Sequence, residues 1–345
     1  MWRKLTVMVL IFIFTFTSCK SGWENEDENT VRIGVTVYDQ YDTFVNELME
    51  KLSGELFVLE QQTGVTITVM NGDAGGSQEE QNNQVEDFIK SGCDIICVNL
   101  VERMDASVII DKAETAGIPI IFFNRELVEE DLLRNDSLFY VGADAAESGV
   151  LQAEIVLEMI KNDPGKIDKN GDEIYQYVML EGETGHQDSV MRTEYVINTV
   201  IDSGIELERI EDEIANWKRS EAKTKMMQWL AIYDNDIEIV FANNDDMALG
   251  AIDALEQMEI LSENWPVVVG IDGTNPGLES VMLGKMSGTV LNDSTGQAKK
   301  IAEIIYALYS GNPLPPLKDK SYARLPYKII TRENVADYFS FTPKE

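Results

Sequence analysis

Short runs of apolar, β-branched residues recur along the chain, each separated from the next by room for one helix. They fall at 31–38, 65–70, 93–100, 118–123, 138–141, 175–180, 237–242, 266–271 and 288–291. Between the first two, Val45, Leu48, Met49, Leu52 and Leu56 keep the spacing of one helix face. The stretches 222–230, 247–258 and 298–308 repeat that pattern. Strands that are apolar throughout, rather than alternating, predict parallel sheets covered by helices on both faces. Nine of them in a single β-α series predict two doubly wound α/β domains better than one large sheet.

The strand ends carry the chemistry. Tyr38 and Asp39 close the first run, Asn99 the third and Asn124 the fourth. Asn243-Asn244-Asp245, Asp272 and Asn292-Asp293 close the last three. Ligands of open α/β sheets bind outside these carboxyl ends. Amides and carboxylates there suit a neutral, hydroxyl-rich ligand better than a phosphate or a carboxylate. Asn and Asp also favour turns, but so many such endings together exceed what turns alone require. Motifs for other chemistry are missing: no phosphate-binding G-x-x-x-x-G-K-[ST], no G-x-S-x-G, no H-E-x-x-H and no C-x-x-C. No spacing among the acids singles out a glycosidase pair.

The 345 residues suffice for two domains with separate cores. A net charge of −33 repels nucleic-acid phosphates and anionic lipid headgroups. A single histidine leaves little room for histidine-based metal or acid–base sites. Arg3 and Lys4 precede an apolar run at 5–16, too short to span a bilayer and suited to a secretory signal. Thr17-Ser18-Cys19 then looks like a lipobox, so 1–18 is expected to be a lipoprotein signal peptide and Cys19 the acylated residue. Residues 19–30 read as a polar tether, and the body as extracytoplasmic and anchored by lipid alone. Cys93 and Cys97 lie too far apart in an extended segment to pair, and are expected to be buried thiols.

One loop is calcium-like. Asp168-x-Asn170-x-Asp172 places oxygens at the first, third and fifth positions of an EF-hand-type loop. The Ile174 carbonyl and Gln176 would follow at the seventh and ninth. The twelfth position is Met179 instead of glutamate, and Glu173 replaces the turn glycine at the sixth.

Several motifs, in order, resemble the bacterial galactose/glucose-binding protein family of periplasmic sugar-binding proteins. They include Arg32-Ile33-Gly34-Val35-Thr36-Val37-Tyr38, Phe122-Phe123-Asn124-Arg125-Glu126, Gly185-His186-Gln187-Asp188 and Ala242-Asn243-Asn244-Asp245. Gly270-Ile271-Asp272 and Gly288-Thr289-Val290-Leu291-Asn292-Asp293 continue the series. The resemblance implies a periplasmic binding protein fold of type I, two lobes joined by a three-segment hinge. The expected N-terminal lobe takes 29–118 and 294–325, and the C-terminal lobe 119–291 and 330–341, with crossings near Pro119, 292–294 and 325–328. It implies a hexose site of Tyr38, Asp42, Phe44, Asn99, His186, Asp188, Arg192, Trp217, Asn244, Asp272 and Asn292. Phe44 and Trp217 would stack on the sugar faces. It also supplies Glu238 as the missing calcium ligand, making the ion structural. The implied function is a monomeric, non-enzymatic lipoprotein that closes on D-galactose or D-glucose and delivers it to an ABC transporter permease. A sensor that presents the closed form to a chemoreceptor uses the same pocket. A secreted glycoside hydrolase has only acid abundance in its favour. The signal segment, and the lack of a basic helical headpiece, oppose the effector domain of a transcription regulator.

Overall fold

The computed structural model describes residues 29–339. The signal segment, Cys19 and residues 19–28 of the tether lie outside them, as do 340 and 341 of the expected C-terminal lobe. The chain first lays down β1 (Thr30–Val37), α1 (Thr43–Thr63), β2 (Thr66–Asp73), α2 (Gln78–Lys90), β3 (Ile95–Val98) and α3 (Ala106–Ala116). β4 (Ile120–Phe123), α4 (Glu129–Leu132) and β5 (Leu138–Ala143) complete this stretch. A second series follows: α5 (Ala145–Asn162), α6 (Pro164–Ile167), β6 (Ile174–Glu181), α7 (Gln187–Asp202), β7 (Glu206–Ile214) and α8 (Arg219–Tyr233). It runs on through β8 (Ile239–Ala242), α9 (Asp245–Gln257), β9 (Val267–Val269), α10 (Asn275–Met282) and β10 (Gly288–Leu291). α11 (Ser294–Ser310), β11 (Tyr322–Leu325) and β12 (Lys328–Thr331) close it.

The strands form two six-stranded sheets, ordered β11-β5-β4-β3-β1-β2 and β12-β10-β9-β8-β6-β7. All pairings are parallel except that of β12 with β10. Each sheet is apolar on both faces because helices cover both. In the first, Ile33, Val35 and Phe123 pack with Leu48, Leu52 and Ile301 of α1 and α11, while Ile96 and Phe122 pack with Val85, Phe88 and Ile109 of α2 and α3. The second sheet is sandwiched likewise, with α8 and α9 on one side and α5 and α7 on the other. Both described cysteines are buried and free.

The chain passes between the lobes at Asp144, around Asn292–Asp293 and at Pro326–Tyr327. The first crossing corrects the expectation of Pro119. Pro119 opens β4, where its missing N–H is harmless and its carbonyl accepts from the Ile96 amide (3.1 Å). β4 and β5 then pair inside the first sheet, Ile120 with Leu138 and Phe122 with Tyr140. The N-terminal lobe therefore holds 30–143 with 294–325, and the other holds 145–291 with β12.

Candidate functional site

The carboxyl ends of both sheets face one cleft. From the N-terminal lobe, Tyr38 leaves β1, Asp42 and Phe44 open α1, and Asn124 and Arg125 leave β4. Asp42 caps α1 by accepting from the Val45 amide (2.8 Å), and its other oxygen accepts the Tyr38 hydroxyl (2.6 Å). Burial, then the neighbouring Asp42 charge, raises the Tyr38 pKa, so the phenol stays a donor. From the other lobe come His186, Asp188 and Arg192 at the start of α7, Trp217 after β7, Asn244 capping α9 and Asp272 after β9. Together these groups line one small cavity between the lobes.

Arg192 organises the floor. It is fully buried, donating from Nη1 to the Asn243 carbonyl (2.7 Å) and from Nη2 to the Tyr327 hydroxyl (3.3 Å) and Asp188 Oδ2 (3.4 Å). Asp272 Oδ1 lies 3.7 Å from Nη2. Burial alone would lower the Arg192 pKa, yet Tyr327, Asp272 and Asp188 hold it above its ordinary value. Burial raises the carboxyls of Asp188 and Asp272, with Arg192 opposing in both cases. The Arg192 Nε–H is buried without a partner among the described residues, as is the Trp217 indole N–H. Both residues line the cleft.

Trp217 is held from several sides. It and Asn216 adopt φ of 65° and 51°, a left-handed turn that non-glycine residues take at a cost. Asn244 Nδ2 donates to the Trp217 carbonyl (3.2 Å), and the His186 ring stands edge-on to the indole, 5.2 Å between centroids. A Cβ on Gly182 would lie 2.1 Å from the indole, so that glycine makes the seat. His186 caps α7, its Nδ1 accepting from the Asp188 amide (3.1 Å). Burial, then Arg125 and Arg192, pushes its pKa well below the usual value. The ring is neutral, with the proton on Nε2.

The lobes are closed on each other. The Thr43 hydroxyl donates to Asp246 (2.6 Å), the Asn275 amide donates to Glu47 (2.9 Å), and Arg125 pairs with Glu183 (3.0 Å). Arg125 also lies 3.3 Å over the Tyr38 ring. Sequence reasoning passed over Arg125, although it follows Asn124 at a strand end. Two expected contacts stand behind the wall. Asn99 spends its side chain on the Tyr38 amide, the Phe123 carbonyl and Asn124. Asn292 accepts from Gln297 (2.6 Å) and hydrogen-bonds Asp272. These two brace pocket residues without lining the cavity.

The loop of Asp168, Asn170, Asp172, Ile174 and Gln176 folds beside Glu238. Glu173 takes φ of 65° there, supplying the left-handed turn without glycine. Asp168 accepts from the Gly171 and Glu173 amides, and Glu238 from the Lys169 and Gln176 amides. Among the described residues no group of three acidic, histidine or cysteine side chains is arranged to hold a metal ion. The donor set nevertheless suits a hard cation. Asn170 donates from Nδ2 to Asp172 Oδ2 (3.0 Å) and Gln176 Oε1 (3.2 Å) and accepts the Asp172 amide at Oδ1 (2.8 Å), which gathers these side chains beside Asp168 and Glu238. Burial, with Asp168 adding to it, raises the Glu238 pKa, a cost that a cation would relieve.

A family model for a periplasmic binding protein domain matches residues 33–313. The D-galactose/methyl-galactoside binding periplasmic protein MglB of Haemophilus influenzae is 34% identical over 313 residues, 89% of this chain and 91% of its own. A putative rhizopine-binding protein of Rhizobium meliloti is 29% identical, over 90% of this chain and 92% of its own. Among solved structures, an ABC transporter solute binding protein from Bacillus halodurans with bound myo-inositol is 31% identical, with a TM-score of 0.75 over 91% of this chain and 98% of its own.

Proposed function

This chain belongs to the periplasmic binding protein domain family, and on that premise we propose that it is the extracytoplasmic solute-binding component of an ABC transporter for a monosaccharide of the galactose/glucose class. It is a binding protein rather than an enzyme, as its relatives are. The observation that carries the sugar reading is the pairing of Phe44 and Trp217, one from each lobe, on one small cavity ringed by Asp42, Asp188, Asp272 and Arg192. Aromatic planes suit the C–H faces of a pyranose, and charged partners strengthen bonds to its hydroxyls. A ligand touching both lobes favours the closed state, and the closed surface is what a permease would read. A thermal-shift panel of monosaccharides tests this. A sugar at 100 times its Kd is expected to raise Tm by roughly 4 °C. Uniform Tm values across the panel would remove the reading.

Lipid anchoring through Cys19 belongs to the same proposal, because it keeps the carrier near its permease. Cys19→Ala is expected to move the protein from the membrane fraction to the soluble fraction in its native host. Retention on the membrane would show another anchor.

A structural calcium ion in the Asp168–Glu238 loop is the third part. Asp168, Asp172 and Glu238 would supply carboxylates, with Asn170, Gln176 and the Ile174 carbonyl as neutral oxygens. The ion would neutralise like charges that the fold brings together. Millimolar calcium is expected to raise the Tm of chelator-treated protein by several degrees, and Glu238→Gln to abolish the rise. Equal Tm with and without calcium would make the loop a self-sufficient turn.

A further inference from the structure

We propose that Asp245 is a positioning residue of the ligand site, its buried carboxylate tying the segment that carries Asp272 to α9 and β10 and so fixing where Asp272 meets the ligand. The proposal rests on the sugar-binding reading of the cleft. Asp245 is wholly buried and lies outside the cavity lining, so it acts only through its neighbours.

Its Oδ1 accepts the Thr289 hydroxyl of β10 (2.6 Å). Oδ2 accepts the amide (2.8 Å) and hydroxyl (3.1 Å) of Thr274. The relay continues from both threonines. Thr289 Oγ1 accepts from the Gly273 amide (3.3 Å), and Thr274 Oγ1 accepts from the Gly277 amide (3.2 Å) and caps α10. Both residues after Asp272 are therefore held by this one carboxylate, directly or through a hydroxyl.

The segment needs such holding. Asp272 sits at φ 124° and Gly273 at 65°, and backbone this unusual persists only where its surroundings over-determine it. The packing leaves room for the carboxylate and nothing more. A Cβ on Gly270 would lie 2.4 Å from Oδ1, and one on Gly277 2.1 Å from Oδ2. Burial pushes its carboxyl up to about 7, the three hydrogen bonds from the two threonines pull it down, and the Asp246 charge adds to the rise. An apolar side chain would leave those three buried donors without an acceptor, so the position needs an acceptor that reaches both threonines.

A double-mutant cycle with D-galactose and D-glucose as probes, joined to amide exchange without sugar, tests this. In Asp245→Asn one of the two threonines must face an NH2 group. Asp245→Asn and Thr289→Val are each expected to weaken binding at least about tenfold, with Thr289→Ser restoring most of it. In an Asp272→Ala background, Asp245→Asn should change affinity by less than about twofold, since its route to the ligand is already cut. The Gly273, Thr274 and Gly277 amides should exchange faster in Asp245→Asn, while those of β8 do not. Additive losses in the double variant, or unchanged exchange in the segment, would overturn the proposal. Should the wild type bind neither sugar, the reading of the cleft falls and the exchange comparison alone decides on Asp245. Should Asp245→Asn not fold, Thr289→Val against Thr289→Ser decides by the same two readouts.

Discussion

Replacing Trp217 by alanine is expected to weaken sugar binding by roughly tenfold to a hundredfold while the protein stays folded. The related stacking of a nucleic-acid base on one aromatic plane is worth about 1–3 kcal/mol, and about 1.4 kcal/mol is tenfold in affinity. The loss should reach the upper part of that range because Trp217 also backs the His186 ring and offers an indole N–H that has no partner among the described residues. Gly182→Ala provides an independent route to the same result. Its new methyl would meet the indole at 2.1 Å and displace it without removing it. Titration calorimetry reads both variants, and the fluorescence change on sugar addition should shrink in each. Wild-type affinity in Trp217→Ala would take Trp217 out of the site.

Arg192→Met is expected to cost both stability and binding. The guanidinium lies against both Asp188 and Asp272 on the cleft floor, and its side chain is 4% exposed. Removing one partner of a buried charge cluster costs about 3–5 kcal/mol, because the remaining charges stay buried. The Asn243 carbonyl and Tyr327 hydroxyl lose a donor as well. Urea unfolding of the sugar-free protein should show that loss, and sugar binding should fall below detection at millimolar ligand. A loss under about 1 kcal/mol would mean that the carboxylates find other compensation.

Apart from the edge strand β2, the strands that were legible are buried on both faces, and burial leaves a continuous apolar run. β7 escaped because it is the edge of its sheet, and in Glu206–Ile214 acidic residues predominate and are mostly exposed. Charges on an edge strand oppose unwanted pairing, and they also erase the apolar signal. β11 and β12 escaped because both are edge strands in which an exposed charge, Arg324 or Lys328, cuts the apolar run to two or three residues. The first lobe crossing, which the resemblance implied near Pro119, lies later because Pro119 directly precedes β4 and already joins the first sheet through its carbonyl.

The site was legible where its residues end strands. Tyr38, Asn244 and Asp272 follow from that rule alone, and resemblance added Asp42, Phe44, His186, Asp188, Arg192 and Trp217. Arg125 was not legible, because its role depends on Tyr38, far away in sequence, and on Glu183 of the opposite lobe. The same holds for Asn99 and Asn292. Strand-end position puts an amide near the cleft, but only packing decides whether it faces ligand or neighbour.

The central claim is that the closed cleft binds one monosaccharide through both lobes, and calorimetric titration against D-galactose, D-glucose and their epimers tests it most directly. The account predicts one site per chain, a Kd of about micromolar or tighter for at least one hexose, and a negative heat-capacity change from closure. No measurable heat with any sugar of the panel at millimolar concentration would contradict it.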